Sequence, residues 1–237
     1  PLRWIGTEDR PIVITAPDSG SLGVHVLEAG GRSELDHVRF EGLMRFRADQ
    51  LRSADVSFHR SPVTIAHTVF SGSGSTLLAI SEGEAQLRHS TFAGGSDQLE
   101  AVHAAVQATG LRFLGAADDA VSVHGGGGSF TELVIDGAKG EGVKATALAQ
   151  VDLTNATLTR CGTGIEAREG SSVVMRTGRI DATLAGHAGK DEVRHGPVRI
   201  DLRDVEVPEG AGFKTGQGSS ILLNGRAVGA AKAAEGT

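Results

Sequence analysis

A pattern of about 22 residues recurs along this chain. The segments Leu35-Asp-His-Val-Arg-Phe40, Ile65-Ala-His-Thr-Val-Phe70 and Leu87-Arg-His-Ser-Thr-Phe92 all read aliphatic, any, His, any, any, Phe, and Gly42, Gly72 or Gly94 follows two residues later. The series continues in degraded form through Phe113-Leu-Gly115, Ile135-Asp-Gly137 and Leu158. From Phe70 to Leu158 the steps are 22, 21, 22 and 23 residues; the step from Phe40 to Phe70 is 30, so one unit carries an insertion. A second column, Leu77, Leu99, Val121, Val143 and Ile165, keeps a spacing of 22, and Ala79, Ala101, Val123, Ala145 and Ala167 follow two residues on. The residues between them are mixed in polarity. That is the in–out alternation of a short strand, recurring once per unit.

Helical repeats run to 30 or more residues and show a 3.6 period, which is missing. A leucine-rich repeat needs a regular Leu-x-x-Leu-x-Leu frame with Asn, and a left-handed helix needs hexapeptides; neither is present. The expected fold is all-β: a right-handed parallel β-helix of about nine coils, from Ile12-Val-Ile14 to Ile221-Leu-Leu223, with one domain over residues 1–228 and a frayed tail over 229–237. Ala fills one inward column and Leu, Val or Ile the other. The composition agrees. Glycine is 34 of 237 residues, about twice the usual share, without the three-residue period of collagen. The net charge of −6 argues against general nucleic-acid binding. No apolar run approaches the roughly 20 residues of a membrane helix, so no membrane insertion is expected. The single Cys161 excludes an internal disulfide and a cysteine-based zinc site.

Several runs carry a resemblance. Gly6-Thr-Glu-Asp-Arg-Pro-Ile-Val-Ile14, Gly23-Val-His-Val-Leu27 and Leu35 to Gly42 look like the right-handed β-helix domains of CotH-kinase-associated bacterial envelope proteins. So do Gly115-Ala-Ala-Asp-Asp-Ala-Val-Ser-Val123, Gly140-Glu-Gly-Val143, Gly162-Thr-Gly-Ile-Glu-Ala167 and the interruption from Lys190 to Pro197. These motifs determine architecture, and no kinase motif accompanies them. Where such relatives often carry Asn, this chain has His37, His67 and His89, and only Asn155 keeps the pattern. The resemblance implies an extracytoplasmic, wall- or polysaccharide-facing role for a piece of a longer protein, whose signal segment is not in this chain.

Stacking at this period turns the sequence into a surface map. Asp97, Asp119, Glu141 and Thr163 fall in one column. Carboxylates at roughly 5 Å repel by about 3 kcal/mol per pair at an effective dielectric of 20, so something must offset the charge or one pKa must rise. The neighbouring outward columns hold Glu100, Ser122, Lys144 and Glu166, then Val102, His124, Thr146 and Arg168. Three readings stay open here. A Ca²⁺ ion could be held by Asp97, Asp119 and Glu141. Asp97, Asp119, Glu141, His124, Glu166 and Arg168 could bind polysaccharide, or Asp118, Asp119, Glu141 and Lys144 could act on it as a lyase or hydrolase. The acidic residues could instead cap turns. Asp119→Asn then gains stability if repulsion dominates and loses it if a cation or a turn cap is involved.

The Asp118-Asp119 pair invites comparison with polygalacturonases, but Gly140-Glu141-Gly142 has Glu where their motif has His, and Ser96-Asp97-Gln98 replaces their Asn-Thr-Asp. That activity is not carried over. His37, His67 and His89 are expected to stack as a hydrogen-bonded ladder, with a transition-metal site as the rival reading and no effect of a chelator expected. His187, Lys190, Asp191, Glu192, Arg194 and His195 form a polar insertion in a longer coil. The open terminal coils offer end-to-end self-association. The leading expectation is a non-catalytic extracytoplasmic binding module for cell-wall or capsular polysaccharide; the alternative is a polysaccharide-active enzyme.

Overall fold

In a parallel solenoid each coil satisfies its backbone N–H and C=O groups on the coils above and below, so the strands must align and the corners must repeat. The computed structural model, which describes residues 1–16, 23–43, 54–72, 74–189 and 193–229, shows 22 strands and no helix among them. Every strand pair is parallel except the last, and three stacks of strands wind through about nine turns. The architecture is the parallel β-helix expected. No helix among these residues is long and apolar enough to cross a membrane.

Each stack contributes one inward row. In the first, Trp4, Leu35, Ile65, Leu87, Ala108, Phe130, Leu153 and Met175 are successive partners. In the second, Ile14, Phe40, Phe70, Phe92, Phe113, Ile135, Leu158 and Ile180 follow one another. The four phenylalanines stack with ring centroids 5.0, 4.7 and 4.6 Å apart. The coil spacing alone brings these rings to stacking distance, and all four phenylalanines are buried. The third row runs Val56, Leu78, Leu99, Val121, Val143 and Ile165.

That third row corrects one expectation. Leu78 rather than Leu77 lies against Leu99, and Ile80 rather than Ala79 lies against Ala101. The step between these coils is 21 residues, and a one-residue slip exchanges the inward and outward sets. Leu77 is buried as well, so its apolar character did not reveal the slip.

The corners explain the histidines. His37, His67 and His89 have φ of 51°, 46° and 45°, in the left-handed region, and Gly110, Glu132, Asn155 and Thr177 continue the same corner at 68°, 55°, 54° and 58°. Asn and His enter this region more readily than most side chains, which suits His37, His67, His89 and Asn155 to this corner. Gly110 has a second reason: a Cβ there would meet His89 Nδ1 at 2.5 Å. A second left-handed corner holds Glu28, Arg60, Glu82 and His103, and Arg60 bridges its neighbours at 3.3 and 2.8 Å.

The two ends differ. Ser220–Leu223 is covered by the antiparallel strand Arg226–Val228. At the other end Arg3–Ile5, Ile12–Thr15 and Val24–Leu27 each pair with one strand among the described residues. The extra residues of the long early step fall between Leu43 and Ala54, where 44–53 lie outside the described residues. So do Lys190, Asp191 and Glu192 of the predicted polar cluster, and tail residues 230–237.

Val121 is wholly buried between Leu99 and Val143. Val121→Asp is therefore expected to abolish cooperative unfolding, and Phe92→Ala to lower stability by about 3–5 kcal/mol, both read by thermal and denaturant melts. A wild-type melt for either would refute the stacking.

Candidate functional site

The third stack carries the polar wall. Its outward row is Glu100, Ser122, Lys144, Glu166, His187 and Lys214, each the register partner of the next. Asp97, Asp119 and Glu141 precede it at the corner, and Glu141 pairs in register with Thr163 as predicted.

The acidic column is organised by backbone capping. The Asp119 N–H donates to Asp97 Oδ1 at 3.1 Å, and the Glu141 N–H donates to Asp119 Oδ1 at 2.8 Å. Each carboxylate thus takes up an amide one coil along. Asp119 Oδ2 also accepts from Ser122 Oγ at 3.1 Å and from Lys144 Nζ at 2.9 Å, while Lys144 Nζ lies 3.5 Å from Glu141 Oε2. The column is not three bare charges: one ammonium serves two of its carboxylates, and amides serve Asp97 and Asp119. Gly140 permits the fold-back, since a Cβ there would come within 2.6 Å of an oxygen of both Asp118 and Asp119.

These contacts separate the acids. Burial, the hydrogen bond to Asp119 and the Asp119 charge push Glu141 up to about 7. Burial also raises Asp119, but its bonds from Glu141 and Lys144 outweigh it and hold the group below the usual carboxylate range. Asp97 is raised, first by burial and then by the charges of Asp119 and Asp118. Burial opposes the charge on Lys144, but the bond to Asp119 and the surrounding carboxylates raise its pKa on balance. The two carboxyl groups titrate as a pair, Glu141 shifted up and Asp119 shifted down.

The other predicted residues lie around this column. Asp118 is exposed, and it forms a three-carboxylate group within 4.8 Å with Asp97 and Asp119; Glu141, one of the three expected Ca²⁺ ligands, is not in that group. His124 is bonded to Thr146 Oγ1 through Nδ1 at 2.7 Å and stands 3.9 Å from Glu100. Glu166 is 1% exposed; its Oε1 accepts from Arg168 at 2.8 Å and meets His187 Nδ1 at 2.7 Å, and its buried Oε2 has no hydrogen-bond partner.

His187 was expected in the loop cluster, and the structure puts it on the wall instead. The register shifts between Thr159 and Cys161, so the step from Glu166 to His187 is 21 residues. Counting 22 lands on Ala188, an inward residue, and misses the pairing. The histidine column also differs from expectation. The rings lie face to face, His37 on His67 at 4.7 Å and 24°, His67 on His89 at 5.6 Å and 15°. Ring N–H bonds lie in the ring plane, so stacked rings cannot bond to one another; Asp36 meets His67 Nδ1 instead, at 2.9 Å.

The chain matches no protein-family model, and no curated protein or solved structure gives a significant match. The class of protein is therefore defined by the fold, a parallel β-solenoid with a polar wall.

The proton balance gives a pH signature. With Glu141 raised from 4.5 to about 7, the folded chain binds more protons than the unfolded chain between these values, so this group's contribution to stability falls as pH rises. Asp119 acts oppositely: its contribution is present above about 3.8 and lost as pH falls below that. The wild-type melting temperature is expected to decline from about pH 5 to 7.5, and Glu141→Gln to flatten that decline, an effect of about 1–3 kcal/mol. Asp119→Asn is expected to lose about 1–3 kcal/mol at pH 7, since it removes an ion pair and weakens an amide cap.

Proposed function

We propose that this protein is a non-catalytic, extracytoplasmic binding module, a rigid β-helix that presents its third-stack wall to cell-wall or capsular polysaccharide, in the manner of the CotH-associated envelope domains its motifs resemble. The observation that carries the reading is the engagement of the wall's acids. Asp97 and Asp119 cap the next coil, and Asp119 is further held by Ser122 and Lys144. A carboxylate committed to backbone amides and a lysine makes a stiff recognition surface and a poor nucleophile or general base. Lys144, His187 and Arg168 supply polar and cationic groups along the wall. With four of the phenylalanines stacked inside the second row, such a surface would act through hydrogen bonds and charge rather than ring stacking.

A second reading is favoured by one specific observation. Glu141 holds its proton to about pH 7 beside Lys144, the combination a polysaccharide lyase or hydrolase would use as acid and cationic stabiliser.

One experiment separates the two. The protein is incubated with purified bacterial wall and capsular polysaccharides. Co-sedimentation is measured alongside release of reducing ends and of unsaturated sugar products. The binding-module reading expects saturable co-sedimentation, weakened about tenfold or more in the double variant Lys144→Ala with Arg168→Ala, and no product. Product formation that disappears in Glu141→Gln would replace it with the enzyme reading.

A further inference from the structure

The strongest unassigned chemistry lies away from the polar wall, at the left-handed corner where the strand Ser33–Asp36 ends. We infer that Asp36, His37 and His67 form a binding site for a borderline divalent transition-metal ion of the Zn²⁺, Ni²⁺ and Cu²⁺ class. One carboxylate oxygen is the hub. Asp36 Oδ1 lies 2.8 Å from His37 Nδ1 and 2.9 Å from His67 Nδ1, and the three residues each offer a ligand atom within 4.8 Å of the others. Ligands at about 2.0–2.2 Å from such an ion stand about 2.9 Å apart at right angles and about 3.4 Å apart in a tetrahedron. The two short separations match adjacent positions around one ion, which would take the place of the His67–Asp36 hydrogen bond as one ring turns toward it.

The donor set selects the ion. Two imidazole nitrogens and one carboxylate suit Zn²⁺, Ni²⁺ and Cu²⁺ and are a poor match for Ca²⁺, which asks for six or more oxygens. The His37 nitrogen supplies an independent pointer. Its Nδ1 is buried and makes no hydrogen bond, because the near contact with Asp36 lacks hydrogen-bond geometry. A buried ring nitrogen without a bond is unfavourable unless something else takes up its lone pair or its proton.

The fold fixes the backbone of the set. Both histidines are locked in the left-handed region, at φ of 51° and 46°, on adjacent coils; their rings are stacked at 24°, so one imidazole turns out of the stack about its Cβ–Cγ bond when both in-plane lone pairs meet one ion. Beside them lies an open cleft of about 430 Å³, lined among others by Glu8, Pro11, Arg39 and His89, which leaves room for water or an exchangeable ligand. Arg39 is paired with Glu41 at 2.8 Å, which offsets its repulsion of a cation. His89 stacks on His67 but stands outside the three-residue group, with Nδ1 turned toward Gly110. The set is thus two histidines and an aspartate from two successive coils, rather than three histidines in a row.

The test uses tag-free protein titrated with Zn²⁺ by calorimetry and with Co²⁺ followed by its visible absorption. The expected result is one ion per chain, a rise in melting temperature with Zn²⁺, and no comparable binding of Ca²⁺. His37→Asn and His67→Asn are suited to the corner, because Asn155 occupies the same corner at φ 54°. Each is expected to keep the metal-free melting temperature near wild type and to weaken Zn²⁺ binding by about tenfold or more. Asp36→Asn gives a second, backbone-neutral removal of a ligand, and Asp119→Asn, on the polar wall, is expected to leave Zn²⁺ affinity unchanged. Absence of saturable Zn²⁺, Ni²⁺ and Cu²⁺ binding overturns the inference, as does a site that survives His37→Asn, His67→Asn and Asp36→Asn, or one abolished by Asp119→Asn.

Discussion

The backbone hydrogen bond from one coil to the next governs this molecule. Because it runs parallel along three stacks, each residue meets its register partner about 4.8 Å away on the next coil. Like then stacks on like. Phenylalanine meets phenylalanine inside, carboxylate meets carboxylate at one corner, and imidazole meets imidazole at another. For apolar side chains the rule is favourable without further arrangement, since stacking removes both faces from water. For polar ones it creates conflicts that the chain must resolve locally.

The two corners resolve their conflicts differently. On the polar wall, like charges are separated by amides and one lysine. Asp97 and Asp119 accept N–H groups one coil on, and Lys144 sits between Asp119 and Glu141. What remains of the repulsion is relieved by a proton on Glu141. At the histidine corner, the rings face each other and Asp36 gathers two ring nitrogens on one oxygen. Asp97 and Asp119 are held by the protein's own groups, while Glu166 Oε2 on the wall and His37 Nδ1 at the histidine corner each stay buried without a hydrogen bond.

The wall also shows how small irregularities redistribute chemistry. A register shift near Cys161 moves His187 from a presumed loop to the side of Glu166, where the two form a partly buried contact of 2.7 Å. The shorter step before Leu99 exchanges Leu77 for Leu78 in the core row. In a solenoid, one residue gained or lost changes which side chains become neighbours on every coil beyond it, unless a later coil restores the count.

The 22-residue period, the Phe row and the alternation around Val121, Val143 and Ile165 were legible in the chain itself, because burial in a stacked strand demands the same residue class at every turn. The column from Asp97 to Thr163 was legible for the same reason. The period could not reveal the 21-residue steps, since Leu77 and Leu78 are equally apolar and Ala188 and His187 lie side by side. Nor could it reveal that a left-handed backbone, rather than a ladder of ring hydrogen bonds, puts histidine at that corner, or that Lys144 reaches Asp119 and Asp36 reaches His67. Those follow from side-chain directions and backbone dihedrals, which are set only when neighbouring coils close over one another.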